Sequence, residues 1–129
     1  MILFEETLAV LCGGGMGSVF RFYLQRQVQE LHLEGGFPYG VFLANVLGSL
    51  IIGFLAAFLV GKFHLSPVWR AGIFIGLLGG FTTFSSFSLD TVTLIQSGNW
   101  IPAIANVGLS LTLCLLATTL GLFLGKLFI

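Results

Sequence analysis

Charged residues are scarce in this chain of 129 residues, at 8% against about a quarter in soluble domains. Five acids and five bases cannot cover the surface of a soluble globular protein, and an apolar fraction of 57% excludes a disordered chain. The same five bases, balanced by five acids, leave no cationic face for phosphates, so we expect no binding to nucleic acid. The scarcity of charge therefore indicates an integral membrane protein.

Cysteine and histidine are also rare, with two of each. Cys12 and Cys114 lie in long apolar stretches, so they predict neither a disulfide framework nor a CxxC metal site. His32 and His64 lie in polar connections, and the chain has no HExxH or GxSxG motif and no paired carboxylates within a span. We therefore do not expect an enzyme. The N-terminus has no basic n-region or cleavage site, so we expect the first apolar segment to remain in the mature protein.

Four apolar runs are long enough to cross a bilayer, which takes about 20 residues for each helix. They do not alternate with period two, which argues against a membrane β-barrel. We therefore predict an all-α integral membrane protein with four transmembrane helices in a single domain of residues 1–129. The predicted spans cover approximately residues 7–24, 41–60, 71–95 and 101–125.

The third run contains hydroxyl residues directly after a pair of glycines. Such residues are unfavourable in the middle of a helix, so we predict that the third helix is broken near its middle. Broken helices at membrane depth expose carbonyls and amides and are tolerated where they bind an ion or line a cavity. The glycines are Gly79 and Gly80, and the hydroxyl residues are Thr82, Thr83, Ser85, Ser86 and Ser88.

One amide and two aromatic rings are further candidates for a polar path. Asn45 stands alone in the second run, where an interhelical hydrogen bond is the simpler interpretation. Phe84 and Phe87 stand three residues apart, and a ring edge is electropositive, so edge-on rings suit a small anion without trapping it. Core packing is the alternative for these rings, since the chain has 14 phenylalanines.

Small residues four apart occur in every span and indicate close packing of helices, within or between subunits. Because four short spans enclose little space, we expect a homodimer. Basic residues on the two sides of the membrane number three against one or two, so the positive-inside signal is weak and favours an antiparallel pair. A single orientation set by Lys62 and Arg70 is the alternative. The small residues are Gly13, Gly14, Gly15 and Gly17 in the first span, Ser49 and Gly53 in the second, Gly72, Gly76 and Gly80 in the third, and Gly121 and Gly125 in the fourth.

Three motifs, in chain order, resemble the Fluc (CrcB-type) family of fluoride channels. Residues 13–22 resemble the GGxxGxxxR[YF] opening of that family, and residues 41–53 resemble its VNxxGxxxxG span. Residues 76–88 resemble its most specific stretch, GxxGGxTTFSTF. The resemblance covers the whole chain in length, number of spans and order of motifs.

The resemblance implies a dual-topology, antiparallel homodimer in the bacterial inner membrane. Two pores along the interface would pass fluoride passively, reject chloride and relieve cytoplasmic fluoride. A structural Na⁺ at the dimer interface would bind the backbone carbonyls of Gly79 and Thr82 from both subunits. By the same resemblance Asn45 donates its amide to fluoride, Phe84 and Phe87 line the path with their edges, Ser85 and Ser86 begin a polar track, and Arg21 lies near the vestibule.

The chain departs from the family pattern in its fourth span. Cys114 and Thr118 stand where the family has a serine and a threonine, and a thiol is a weaker donor than a hydroxyl. Asn106 stands where some members have a pore tyrosine and is expected to supply a donor instead. Asp90 stands where the family commonly has glutamate.

Two other functions compete with a fluoride channel. A small multidrug-type, proton-coupled antiporter also has four short spans, but it needs a carboxylate within the first span, and Glu5 and Glu6 precede that run. A membrane assembly subunit without transport activity predicts scattered polar residues, whereas the polar residues here cluster at one break.

Overall fold

The computed structural model describes residues 1–129, which fold into four membrane-length helices and short connections. The first two spans are α1 (Ile2–Glu30) and α2 (Tyr39–Val60), the latter with π-helical geometry over its last five residues. The third span, Pro67–Gln96, consists of α3 (residues 67–81) and α4 (Phe84–Gln96). Helix α5 (Trp100–Lys126) is the fourth. The prediction of four transmembrane helices is therefore confirmed.

Helix α1 extends beyond the predicted span of residues 7–24 at both of its ends. Glu5 lies in its first turn, where an acidic side chain is favourable for the helix dipole. Beyond residue 24 the chain is rich in Gln, Glu and Arg, which are good helix formers without being apolar. Hydropathy locates the part of a helix that lipid covers and does not locate the end of its hydrogen bonding.

Helices α1 and α3 pack backbone against backbone through their glycines. A Cβ atom built on Gly13 would lie 2.9 Å from the amide nitrogen of Leu77, and one on Gly17 would lie 2.8 Å from that of Phe81. From the other side, a Cβ atom on Gly76 would lie 3.2 Å from the Cα atom of Gly13. The predicted close packing of helices through small residues is confirmed here within one chain.

Helices α2 and α5 form a second pair of the same kind. A Cβ atom on Gly53 would lie 3.0 Å from the amide nitrogen of Leu122, and one on Gly121 would lie 2.7 Å from that of Phe54. Ser49, one turn before Gly53, lines a cavity beside this contact. Helices α2 and α5 line this cavity together with the broken part of the third span.

The break in the third span comprises two residues, Thr82 and Thr83, in extended conformation with ψ angles of 157° and 115°. The hydroxyl and the amide of Thr82 both donate to the carbonyl oxygen of Leu78, at 2.9 and 3.0 Å, which ends α3. The break near the middle of the third helix is confirmed, but it is narrower than the whole hydroxyl cluster. Ser85, Ser86 and Ser88 lie in the first turns of α4.

The two chain termini and the connection between the second and third spans lie at one end of the bundle. The Lys62 ammonium group donates to the carbonyl oxygen of Phe128 at 3.1 Å. Glu6 and Arg70 line a common surface depression at the same end. This arrangement follows from an even number of crossings.

Most side chains of the bundle face outwards, since only 17 of 129 residues are buried. The outward side chains are predominantly long and apolar, and together with the four membrane-length helices they suit contact with lipid. The chain is thus a multi-pass membrane protein.

Candidate functional site

A cavity of about 320 Å³ lies against the break in the third span. It is bounded by α2, by the end of α3, by the beginning of α4 and by the middle of α5. Polar side chains from α2, from the break and from α5 reach its wall among apolar side chains. The lining residues with a polar or aromatic role below are Asn45, Ser49, Gly79, Thr82, Thr83, Phe84, Phe87, Ser110 and Cys114.

The Asn45 amide closes the break by pairing with the backbone of Thr83. Its Nδ2 donates to the Thr83 carbonyl oxygen at 3.0 Å, and its Oδ1 accepts from the Thr83 amide at 2.7 Å. An amide nitrogen carries two hydrogens, so one N–H of Asn45 is left for another acceptor. Asn45 therefore links α2 to the break and still has a donor beside the cavity.

Thr83 begins α4 as its N-cap. Its hydroxyl accepts from the Ser86 amide at 3.1 Å, donates to the Ser86 hydroxyl at 3.1 Å, and lies 3.3 Å from the Ser85 hydroxyl. The first amides of α4 have no carbonyl partner within their own helix, and a helix N-terminus carries partial positive charge. The cavity thus adjoins a group of donors that favours an anion.

Phe84 and Phe87 both line the cavity but differ in burial. Their ring centroids are 5.3 Å apart with an interplanar angle of 43°. The Phe87 ring is buried at 8% exposure, whereas Phe84 is 73% exposed on the surface of the chain. The pair therefore joins the interior of the cavity to its open side.

Helix α5 presents two polar side chains to the cavity, Ser110 and Cys114. Asn106 and Thr118 continue the same four-residue spacing but do not line it. Each step of four residues turns about 40° past a full turn, so Asn106 and Thr118 are about 120° apart around the helix. Because of this rotation, only the two middle residues of the series, Ser110 and Cys114, face the cavity.

Three further predicted residues lie next to the cavity without lining it. The Ser85 and Ser86 hydroxyls contact the Thr83 hydroxyl, which does line the cavity. The half-buried Arg21 guanidinium donates to the carbonyl oxygen of Thr82 at 3.4 Å, so Arg21 lies beside the break itself.

Backbone carbonyls are the groups near the break that suit a hard cation. The Thr83 amide, which would bond the Gly79 carbonyl in a continuous helix, donates to Asn45 instead. The Gly79 carbonyl is thereby released, and the Thr82 carbonyl has a second lone pair besides its contact with Arg21. No three His, Cys, Asp or Glu side chains form a cluster that could hold a metal ion, so a cation here would depend on oxygen atoms of the backbone.

Sequence reasoning missed Ser110 and treated Thr83 only as part of the hydroxyl cluster. The signal for Ser110 was present, because it stands four residues before Cys114 on the same helix. The signal for Thr83 was its position three residues before Ser86, which is the spacing of an N-cap to the amide it bonds.

A four-span protein with a helix broken beside a polar cavity belongs to the class of small membrane channels and transporters. A family model described as "CrcB-like protein, Camphor Resistance (CrcB)" matches residues 8–122. The chain belongs to this family.

Curated relatives are similar over nearly the whole length of both chains. A protein of Shewanella baltica strain OS155 named "Fluoride-specific ion channel FluC" is 45% identical over 118 residues, which cover 91% of this chain and 93% of the relative. A protein of Sulfurovum sp. strain NBC37-1 with the same name is 44% identical over 119 residues, which cover 92% of each. A Shewanella oneidensis protein, again so named, is 44% identical over 118 residues.

Proposed function

We propose that this protein is a fluoride-selective channel that passes F⁻ passively across the bacterial inner membrane and relieves cytoplasmic fluoride. The observation that carries the proposal is the cavity at the break, where amide and hydroxyl donors meet two aromatic rings. The names of the relatives support the same ion. The reaction is ion permeation, so the protein is a channel and not an enzyme.

The cavity chemistry explains how an anion crosses without a fixed positive charge in its wall. Fluoride binds its water tightly, so donors must replace that shell, and the free N–H of Asn45 and the start of α4 supply them. The rings of Phe84 and Phe87 add electropositive edges. Binding of this kind is weak enough for the ion to leave, and a narrow passage excludes the larger chloride.

The pathway is completed by a second, antiparallel copy of the chain. The cavity is open on the surface of the subunit, and its polar groups would otherwise face lipid, where unsatisfied polar groups are costly. Phe84 stands at this open side and is largely exposed. Two subunits facing each other across these surfaces give two pores.

A structural Na⁺ at the dimer interface would bind the carbonyl oxygens of Gly79 and Thr82 from both subunits. The carbonyl released at Gly79 and the spare lone pair at Thr82 support this assignment. Such an ion stabilises only the assembled dimer, since neither subunit alone provides the full set of ligands.

The proton-coupled antiporter is the less favoured function, because no carboxylate lines the cavity. Glu5 and Glu6 lie in the first turns of α1, towards one end of the bundle. They therefore lie at the end of the first span and not within the membrane, where proton exchange requires a carboxylate.

Fluoride efflux from liposomes tests the proposal directly. Purified protein in liposomes loaded with KF should release fluoride to an electrode once a potassium ionophore clamps the voltage, and liposomes loaded with KCl should release no chloride. Protein-free liposomes and liposomes without ionophore are the controls. Absence of fluoride efflux, or equal release of chloride, would contradict the proposed function.

A further inference from the structure

A chain of three buried side-chain hydrogen bonds runs from the backbone of α4 to the cavity. The Thr91 hydroxyl donates to the Phe87 carbonyl oxygen at 2.8 Å, and Asn106 Nδ2 donates to the Thr91 hydroxyl oxygen at 2.9 Å. The Ser110 hydroxyl donates to Asn106 Oδ1 at 3.2 Å. Asn106 is 1% exposed, and Thr91 and Ser110 are 9% and 6% exposed, so water does not compete with this chain.

The donor and the acceptor of each of these three hydrogen bonds follow from the first bond, between Thr91 and the Phe87 carbonyl oxygen. A carbonyl oxygen only accepts, so the Thr91 hydroxyl must give its hydrogen to Phe87 and must accept from Asn106. The amide nitrogen of Asn106 therefore faces Thr91, and its oxygen faces Ser110. Since that oxygen only accepts, the Ser110 proton points at Asn106 and the lone pairs of Ser110 remain for the cavity.

We propose that Asn106 is a positioning residue that turns the Ser110 hydroxyl proton away from the ion path, so that Ser110 is a weak and not a strong fluoride donor. The inference rests on the proposed channel function and specifies how strongly one residue of its path, Ser110, binds fluoride. A fluoride ion at Ser110 gains a hydrogen bond only if the Ser110–Asn106 bond is broken, which leaves the buried oxygen of Asn106 without a partner. The station therefore binds fluoride loosely, and the ion leaves it quickly.

Release of the Ser110 proton should tighten fluoride binding and slow its departure. Asn106→Leu is similar in size and removes the acceptor, so the Ser110 hydroxyl becomes free to donate to fluoride. The expected result is a decrease of about three- to tenfold in the half-saturating fluoride concentration, the factor for one neutral hydrogen bond, together with a lower maximal rate. The measurement is the initial fluoride efflux from liposomes as a function of internal fluoride.

A variant at Thr91 tests the same inference independently, in case Asn106→Leu does not fold. Thr91→Val removes the acceptor of Asn106 Nδ2, so the amide is free to turn its nitrogen to Ser110, and the half-saturating concentration should again fall. Thr91→Ser keeps the hydroxyl and should restore the wild-type value. Thr93→Val makes the same change as Thr91→Val on the exposed side of α4 and should have no effect.

A double variant separates positioning from a merely structural role. If Asn106 acts through Ser110, Asn106→Leu should cause no further change in half-saturation in a Ser110→Ala background. The inference would be overturned if Asn106→Leu shifts the half-saturating concentration equally in both backgrounds, or alters the maximal rate without shifting that concentration. It would also be overturned if Thr91→Val leaves the half-saturating concentration unchanged, or if both Asn106→Leu and Thr91→Val misfold. No fluoride efflux from the wild-type protein would instead overturn the proposed function, and this inference with it.

Discussion

The two amides within the membrane-spanning segments away from their ends, Asn45 and Asn106, use their hydrogen bonds for different purposes. Asn45 bonds the backbone of Thr83 and keeps one N–H beside the cavity, whereas Asn106 bonds only side chains, is buried and does not line the cavity. From the sequence both were candidates for the ion path. Their partners, which come from 38 and 15 residues away along the chain, distinguish them.

Asn45→Asp should abolish fluoride efflux and destabilise the protein. The carboxylate cannot donate, so one of its oxygens would face the Thr83 carbonyl oxygen, to which Asn45 Nδ2 donates at 3.0 Å in the wild type. The carboxylate also adds a negative charge to the anion path. Loss of the bond and desolvation of its partner cost about 1–3 kcal/mol. Efflux and thermal unfolding in detergent measure the two effects.

The matched control for this variant is Asn99→Asp, at the turn before α5. Asn99 is the N-cap of that helix and makes no side-chain cap bond, and aspartate is equally suitable at this position. It should conduct as the wild type does. Normal fluoride flux through Asn45→Asp would remove Asn45 from the path.

Phe84→Ile and Phe87→Ile should each reduce fluoride flux several-fold while the proposed dimer persists. Isoleucine is apolar but has no electropositive ring edge. Only Phe87→Ile should also lower stability, because Phe87 is buried and Phe84 is exposed, and its effect should stay below the roughly 3–5 kcal/mol of a buried Phe→Ala change. Efflux, size-exclusion chromatography and thermal unfolding in detergent measure flux, assembly and stability respectively.

Phe123→Ile changes an exposed ring on α5, away from the cavity, and serves as the control for the ring variants. It should leave both flux and assembly unchanged. If Phe84→Ile and Phe87→Ile both conduct like Phe123→Ile, the ring edges have no part in permeation.

At the scale of single helices, what matters about a glycine is which face it occupies. Gly13, Gly17 and Gly76 bring the backbones of α1 and α3 together, whereas a Cβ atom on Gly15 would meet nothing within 4 Å. The sequence showed four glycines near one another in the first span and could not rank them. Which glycines form the contact depends on the side of α1 against which α3 packs, and no local sequence pattern gives that side.

Gly17→Ala should destabilise the protein by about 1–3 kcal/mol, because the added methyl group overlaps the backbone of α3 at Leu77 and Phe81. Gly15→Ala is the matched control and should be neutral or stabilising by up to about 1 kcal/mol, since alanine is the better helix former. Thermal unfolding in detergent compares them. Equal stability of the two variants would show that α1 and α3 do not pack as described.

The break shows how much of an element local sequence determines. The glycine pair and the hydroxyl cluster predicted an interruption, but Ser85, Ser86 and Ser88 lie in regular helix. The interruption ends at Thr83 because its hydroxyl caps α4 and because Asn45 bonds both of its backbone groups. The second of these interactions is tertiary, so the exact extent of the break was not accessible from the run itself.

At the scale of the whole molecule, one subunit leaves its polar cavity open to the membrane. The proposed dimer closes it, and the proposed Na⁺ joins carbonyls of both copies. Neither the second copy nor the ion follows from the fold of one chain. Both are therefore tested by measuring whether the chain forms a dimer and which cation the dimer needs.

Replacement of sodium by a larger cation such as Cs⁺ should weaken the dimer and lower fluoride flux. A larger ion does not fit carbonyls fixed by the break, so the stabilisation of the assembled state by linkage is lost. Dimer dissociation in detergent, followed by light scattering in NaCl and in CsCl of equal concentration, measures the effect. A dimer indifferent to the cation would exclude the central ion.

The sequence by itself determined the class of protein, its four spans and the position of the break. Those features depend on composition and on short-range patterns, namely apolar length and helix-breaking residues near Gly79 and Gly80. Only the tertiary structure decided that Ser110 lines the cavity, that Asn106 lies behind it, and which glycines form the helix contacts. Those assignments depend on the rotation of each helix about its axis, which is fixed by its neighbours and not by its own residues.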